Sequence, residues 1–217
     1  MDIYEALYTT RAMRRVKPDP VPADVQHKIV DAAIRAPTGG NTQGWRFLLV
    51  DDPAVIGQIA PIYRECIDFL WEHIYNERIA AAEADPESEA SKQMMVMQKS
   101  VQYAVDHFAE YPLLLFAFDQ ADTTGGSIFP AVWSAMLAAR AEGVGSSLTS
   151  VLMIKGEEVP DLLGVPADEG WRMACCVPMG YPKGKWGVAQ RAPVHTVSFR
   201  NHWGQSVAFE SDQPLWP

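Results

Sequence analysis

The chain reads as a mixed helix and strand protein, α+β or α/β, and two observations predict this. Apolar runs of strand length, Phe47-Leu48-Leu49-Val50 and Leu113-Leu114-Leu115-Phe116-Ala117-Phe118, alternate with segments whose apolar residues recur at helical spacing. A chain of 217 residues, 48% hydrophobic and 21% charged, is also large enough to bury one substantial core. We find no internal repeat, low-complexity tract or linker, so residues 1–217 are expected to form a single domain.

Each element has its own local signal. A first short helix is expected over Ile3 to Thr9. Pro22 then opens a segment in which Val25, Ile29, Val30 and Ala33 share a helical face, and Pro37-Thr38-Gly39-Gly40 ends it. Asp51-Asp52-Pro53 has the form of an N-cap followed by proline in the first helical turn. From about residue 60 to 108 the chain is largely helix-forming, with an acidic break around Pro86, and this stretch reads as a helical excursion. Ala131 to Ala139 is apolar almost all round, so it must be covered on every side, as a central core helix or at a subunit interface. Trp171 to Val177 gives a further strand. The tail, about 195–217, has Trp203 and Trp216 as apolar anchors and is expected to pack rather than float free.

Composition excludes several functions. A net charge of -9 leaves no basic face for nucleic acid, and no apolar run approaches bilayer length. The N-terminus lacks the basic and apolar regions of a secretory leader, so a cytoplasmic location is expected. Cys66, Cys175 and Cys176 form no CxxC, an odd count that fits buried reduced thiols. The five histidines have no metal spacing, and no metal site is expected. Neither a dinucleotide fingerprint, a P-loop nor a G-x-S-x-G serine elbow is present.

Chemistry is concentrated in three places. Arg11, Arg14 and Arg15 fall within five residues in an acidic chain, and an arginine fork suits a phosphate, although a solvated helix end has the same composition. Pro37 to Gln43 places two glycines and short polar side chains directly after a helix, as a loop that lets backbone approach a flat ligand closely does. Gly145 to Ser150 and Gly180-Tyr181-Pro182, followed by Arg191-Ala192-Pro193, complete the set.

In this order and spacing, over about residues 3–195, these stretches closely resemble the FMN-dependent nitroreductase family. The resemblance implies an α+β fold with a central, mostly antiparallel sheet surrounded by helices, in an intertwined homodimer with two FMN sites at the subunit boundary. Carried over by position, Arg11, Arg15 and Arg191 would bind the FMN phosphate, with backbone groups of Ala12 and Met13 beside it. Pro37, Thr38 and Gly39 would line the isoalloxazine face, with Asn41 at its polar edge. Leu148 and Thr149 would meet the ring near N5 and O4, and Gly180 would shape the turn towards Arg191.

Two departures stand out: Met13 where many members have serine, and Gly44 in place of the proline before Trp45. The resemblance further implies an oxidoreductase with the redox chemistry on the flavin and no catalytic side chain required. NADH or NADPH would be a transient hydride donor in a ping-pong cycle, and a nitroaromatic, quinone or related small molecule the acceptor. The 60–108 excursion would select that acceptor, and the tail would wrap across the partner subunit. Reductive dehalogenation, another specialised flavin dehydrogenation, or flavin storage with little turnover are alternatives on the same fold.

Overall fold

The computed structural model describes residues 1–120 and 122–216. Pro217, the last residue of the expected C-terminal extension, and Ala121 lie outside the described residues. The described chain divides into two compact units, one of residues 12–185 and one of residues 1–11 with 186–216.

In the larger unit the strands are β1 (Trp45–Val50), β2 (Leu113–Asp119), β3 (Gly145–Ser146) and β4 (Arg172–Gly180). Among the described residues they form one sheet in the order β1-β2-β4-β3, and every pairing is antiparallel. The expected antiparallel sheet of an α+β fold is therefore present. β2 and β4 are apolar at nearly every position because the sheet is covered on both faces.

Side-chain alternation then sorts the core into two layers. Leu114, Phe116 and Phe118 pack with Ile56, Ile59, Val105 and Phe108 on one face. Leu113, Leu115 and Ala117 pack with Ile29, Ala131, Val132 and Ala135 on the other. The smaller unit begins with α1 (Ile3–Thr9), which Asp2 caps by accepting the Glu5 N–H at 2.7 Å. Within the same unit the Tyr8 and Trp216 rings lie 5.9 Å apart, so Trp216 packs as expected, whereas Trp203, the other expected anchor, is 92% exposed.

The helices follow their local signals. α2 (Ala23–Ala33) starts directly after Pro22, and Asp52 caps α3 (Pro53–His73) with proline in its first turn. The excursion contains most of α3, then α4 (Asn76–Ala84) and α5 (Glu89–Asp106), so it breaks twice, near Tyr75 as well as near Pro86. α6 (Ile128–Ala141) buries Ala131, Val132, Ala135 and Ala139 but leaves Phe129 and Trp133 42% and 40% exposed, one turn apart. The short α7 (Glu158–Leu162) leads back towards β4.

Burial keeps the thiols inert: it raises Cys175 to about 12, raises Cys176 well above an ordinary thiol and raises Cys66 as well.

α6 begins where the Asp122 carboxylate accepts the N–H groups of Ser127 and Ile128, at 2.8 and 2.9 Å. The Ile128 N–H, then the Ser127 N–H, hold this carboxyl below the usual range. Its stabilisation is therefore complete above about pH 3.9, the unfolded value, and is lost as pH falls through the lower folded value. Asp122→Ala is expected to lower Tm by about 2–4 °C at neutral pH, with the gap to wild type closing below about pH 3.9 in thermal melts.

Candidate functional site

One half of the predicted site is built at the β3 edge of the sheet. Ala12 forms a parallel bridge with Ser146, and the Met13 N–H donates to the Ser146 carbonyl at 2.9 Å. Val16 pairs antiparallel with Pro182. Glycines make this approach possible. A Cβ on Gly145 would stand 2.9 Å from the Met13 Cβ, and one on Gly180 would stand 2.9 Å from Val16 and 3.0 Å from Pro112. Gly180 thus acts through close approach as the last residue of β4, and not through a turn conformation; it is absent from the positive-φ glycines. Met13, buried in the core with its N–H committed to the sheet, offers no amide to a phosphate.

Beyond β3 the chain runs along β4 with alternate residues bonded. The Ser147 N–H reaches the Pro178 carbonyl and the Thr149 N–H the Cys176 carbonyl. Leu148 is consequently turned outward, with its side chain 39% exposed and its N–H without a hydrogen-bond partner among the described residues. Of the two predicted ring contacts, Leu148 offers an amide and Thr149 only a hydroxyl.

A polar layer lies beneath this segment. The Tyr63 phenol lies near Thr149 and the Tyr111 phenol near Ser147. Tyr111 donates its proton to the Arg14 carbonyl at 2.8 Å. Burial pushes Tyr63 up to about 12, partly offset by the charge of Arg14, and raises Tyr111 for the same reason. Both phenols are neutral at physiological pH.

The arginines divide. Arg14 is half-buried, with Nη1 3.3 Å from Ser100 Oγ, while the exposed Arg15 lies over the Tyr103 ring at 4.7 Å. Sequence reasoning read Arg14 only as one of three arginines, Tyr63 and Ser147 only within longer stretches, and Tyr111 not at all. The only signal was three arginines in five positions, which does not say which one turns inward.

The other half of the site is the loop before β1. A short turn over Gly39–Asn41 has Gly40 at φ 58°, and Asn41 and Gln43 hold φ of 54° and 50°, where side chains are uncommon. The Gln43 N–H donates to Thr38 Oγ1, and Gln43 Nε2 to Asn41 Oδ1, both at 3.2 Å. Left-handed residues held by such bonds mark a loop built for a contact. Beside it lies an open cleft of about 670 Å³, lined by Gly39, Thr42, Gly44, Trp45 and the acids Asp119 and Asp122.

Pairing register separates the two halves. Trp45 is level with Asp119 and Arg172 at one end of the sheet, whereas Gly145 is level with Gly180 at the other. The 37–44 loop adjoins one edge strand, and residues 12–16 lie outside the opposite edge, roughly 19 Å across by strand spacing alone. Pro37, Thr38, Gly39 and Asn41 therefore sit together, Ala12, Met13, Arg15, Leu148, Thr149 and Gly180 sit together, and Arg11 and Arg191 belong to the smaller unit.

Residues 7–181 match the family model described as Nitroreductase family. The chain belongs to that family. "Protein DrgA" from Synechocystis sp. is 30% identical over 77% of this chain and 79% of its own length. A 5,6-dimethylbenzimidazole synthase from Rhodospirillum rubrum is 27% identical over 93% of this chain and 92% of its own. The fold is shared with an iodotyrosine deiodinase crystallised with FMN and 3-iodo-L-tyrosine, at a TM-score of 0.69 and 23% identity over 88% of this chain and 95% of that one.

This nitroreductase-family chain has a donor set that fits FMN. The Leu148 amide is turned outward, free to meet a ring edge, and the exposed Arg15 fork suits a phosphate. The glycine cradle lets the arginine-bearing segment close on the sheet. Gly180→Ala is expected to destabilise the protein by about 1–3 kcal/mol in urea unfolding, and adding Val16→Ala to recover part of that loss.

Proposed function

We propose that this chain is an FMN-dependent oxidoreductase that takes a hydride from NADH or NADPH and passes it to a nitroaromatic, quinone or related small acceptor. The observation that carries this reading is the pair of half-sites at opposite edges of one sheet, each with the chemistry for part of a flavin. With the width of the sheet between them, one copy does not close both halves around one flavin. A second copy does, so we propose a homodimer in which each site takes the 37–44 loop from one subunit and residues 12–15 and 148–149 from the other. Phe129 and Trp133, exposed one turn apart on the otherwise apolar α6, would be covered in that dimer. The tail would wrap across the partner, and the location would be cytoplasmic.

Bound FMN would supply the hydride-transfer chemistry. The chain's own residues bind and orient. Arg15 would hold the phosphate, and the Leu148 N–H would donate to the ring edge near N5 and O4, favouring the charge that gathers there on reduction. Pro37, Thr38 and Gly39 would flank the ring, leaving one face for donor and acceptor in turn. Tyr63 and Tyr111 stay neutral and neither gain nor lose a proton, and the backbone of 147–149 is fixed by its bonds to β4. The excursion from α3 to α5 would select the acceptor.

A second reading keeps the flavin and changes the acceptor to a halophenol, supported by the likeness to the deiodinase fold.

The purified protein is expected to take up FMN and to bleach near 450 nm when NADH or NADPH is added without oxygen. Faster steady-state turnover with a halophenol than with a nitroaromatic or quinone would favour the second reading, and flavin that resists bleaching by both nicotinamides would count against the first. For the dimer, mixing an Arg15→Ala chain with a Gly40→Trp chain is expected to restore about a quarter of the wild-type flavin sites after subunit exchange, because only mixed dimers contain one intact site. No restoration would place both halves of each site in one chain.

A further inference from the structure

Arg15 and Lys183 face each other across an antiparallel pairing. Val16 bridges Pro182, the Lys183 N–H donates to the Arg15 carbonyl at 2.8 Å, and the Lys17 N–H donates to the Tyr181 carbonyl at 2.7 Å. In that register Arg15 stands directly opposite Lys183, and directly opposed side chains share one face with Cβ atoms about 5 Å apart. Like charges so placed repel. Neither cation has a carboxylate within 4.0 Å among the described residues, in a chain whose net charge is -9.

Tyr103 of α5 holds the pair apart and in order. The Arg15 guanidinium lies 4.7 Å from the ring centroid, and Lys183 Nζ donates to the Tyr103 hydroxyl at 3.1 Å. The ring is itself fixed, stacked on His107 at 3.9 Å and 12°, with His107 Nδ1 2.9 Å from the Tyr103 carbonyl. A guanidinium with its face on a ring keeps its N–H edges available, and the ammonium keeps two of its three protons. The phenol keeps its own proton. Five or more donors and two positive charges thus meet where protein supplies no anion.

We propose that Arg15, Lys183 and Tyr103 form a seat for a phosphate monoester, in which Lys183 and Tyr103 are binding residues outside the family's motifs. A phosphate monoester carries about two negative charges at neutral pH and several acceptor oxygens, which matches two cations and a phenol donor better than a carboxylate does. The identity of the ligand rests on the flavin reading above, which offers two sources of this group: the 5′-phosphate of FMN and the 2′-phosphate of NADPH. Because Tyr103 belongs to α5, filling the seat also ties the acceptor-side excursion to the bound phosphate.

The test titrates apoprotein with FMN and with riboflavin, followed by flavin fluorescence, in wild type, Lys183→Ala and Tyr103→Phe. It then measures KM for NADPH and NADH on the reconstituted proteins. A loss of FMN affinity of about tenfold in Lys183→Ala, smaller in Tyr103→Phe, with riboflavin unaffected, supports the seat and assigns it to the 5′-phosphate. Unchanged FMN affinity with KM raised for NADPH and not for NADH supports it and assigns it to the 2′-phosphate. Unchanged values throughout, or equal losses for the ligands with and without the phosphate, overturn the seat and leave the flavin reading standing. If wild type takes up no flavin, that reading falls, and inorganic phosphate decides the seat. Tyr103 ring resonances that shift with phosphate in wild type but not in Lys183→Ala would keep it, and their failure to shift would overturn it.

Discussion

The close approach of residues 12–16 to the edge of the sheet is the contact on which the rest of the site depends. It exists because Gly145 and Gly180 lack side chains where Met13 and Val16 arrive, at separations a Cβ does not tolerate. Once Met13 and Val16 are pinned, the residues between them have little freedom. Arg14 is drawn towards Ser100 and the two buried tyrosines, and Arg15 outward onto Tyr103. A sheet edge that would otherwise be exposed is thereby covered by a segment dense in positive charge.

Much of the fold was legible because it rests on local rules. Asp52-Pro53 as cap and first turn, the ends of α1 and the apolar run of β2 follow from capping and side-chain periodicity within a few residues. β3 was not legible: two residues with no apolar pattern become a strand only because β4 and Ala12 lie on either side. The break near Tyr75 was also hidden, since no proline or glycine marks it and the helix-forming composition continues through it.

The candidate site divides the same way. Order and spacing of Arg11 to Arg15, Pro37 to Asn41, Leu148 to Thr149 and Gly180 pointed to the family that the chain belongs to. What the pattern could not convey was which atoms remain available after the sheet has taken its share. Met13 looks like a phosphate neighbour until its N–H is found on the Ser146 carbonyl, and Thr149 looks like an amide donor until Cys176 takes that amide. Such commitments are made by partners more than a hundred residues away for Met13, and no local window contains them.

The role proposed for the Leu148 amide depends on the same commitments. A donor tunes a bound ring only if it is already aimed, since reorienting it during reaction would consume the energy it is meant to contribute. Here the residues on either side of Leu148 are bonded to β4, and Pro178 supplies a carbonyl and no competing N–H. The Leu148 amide is therefore fixed by bonds that it does not make itself. Burial keeps Tyr63 and Tyr111 protonated at physiological pH, so the layer beneath this segment gains no negative charge from them.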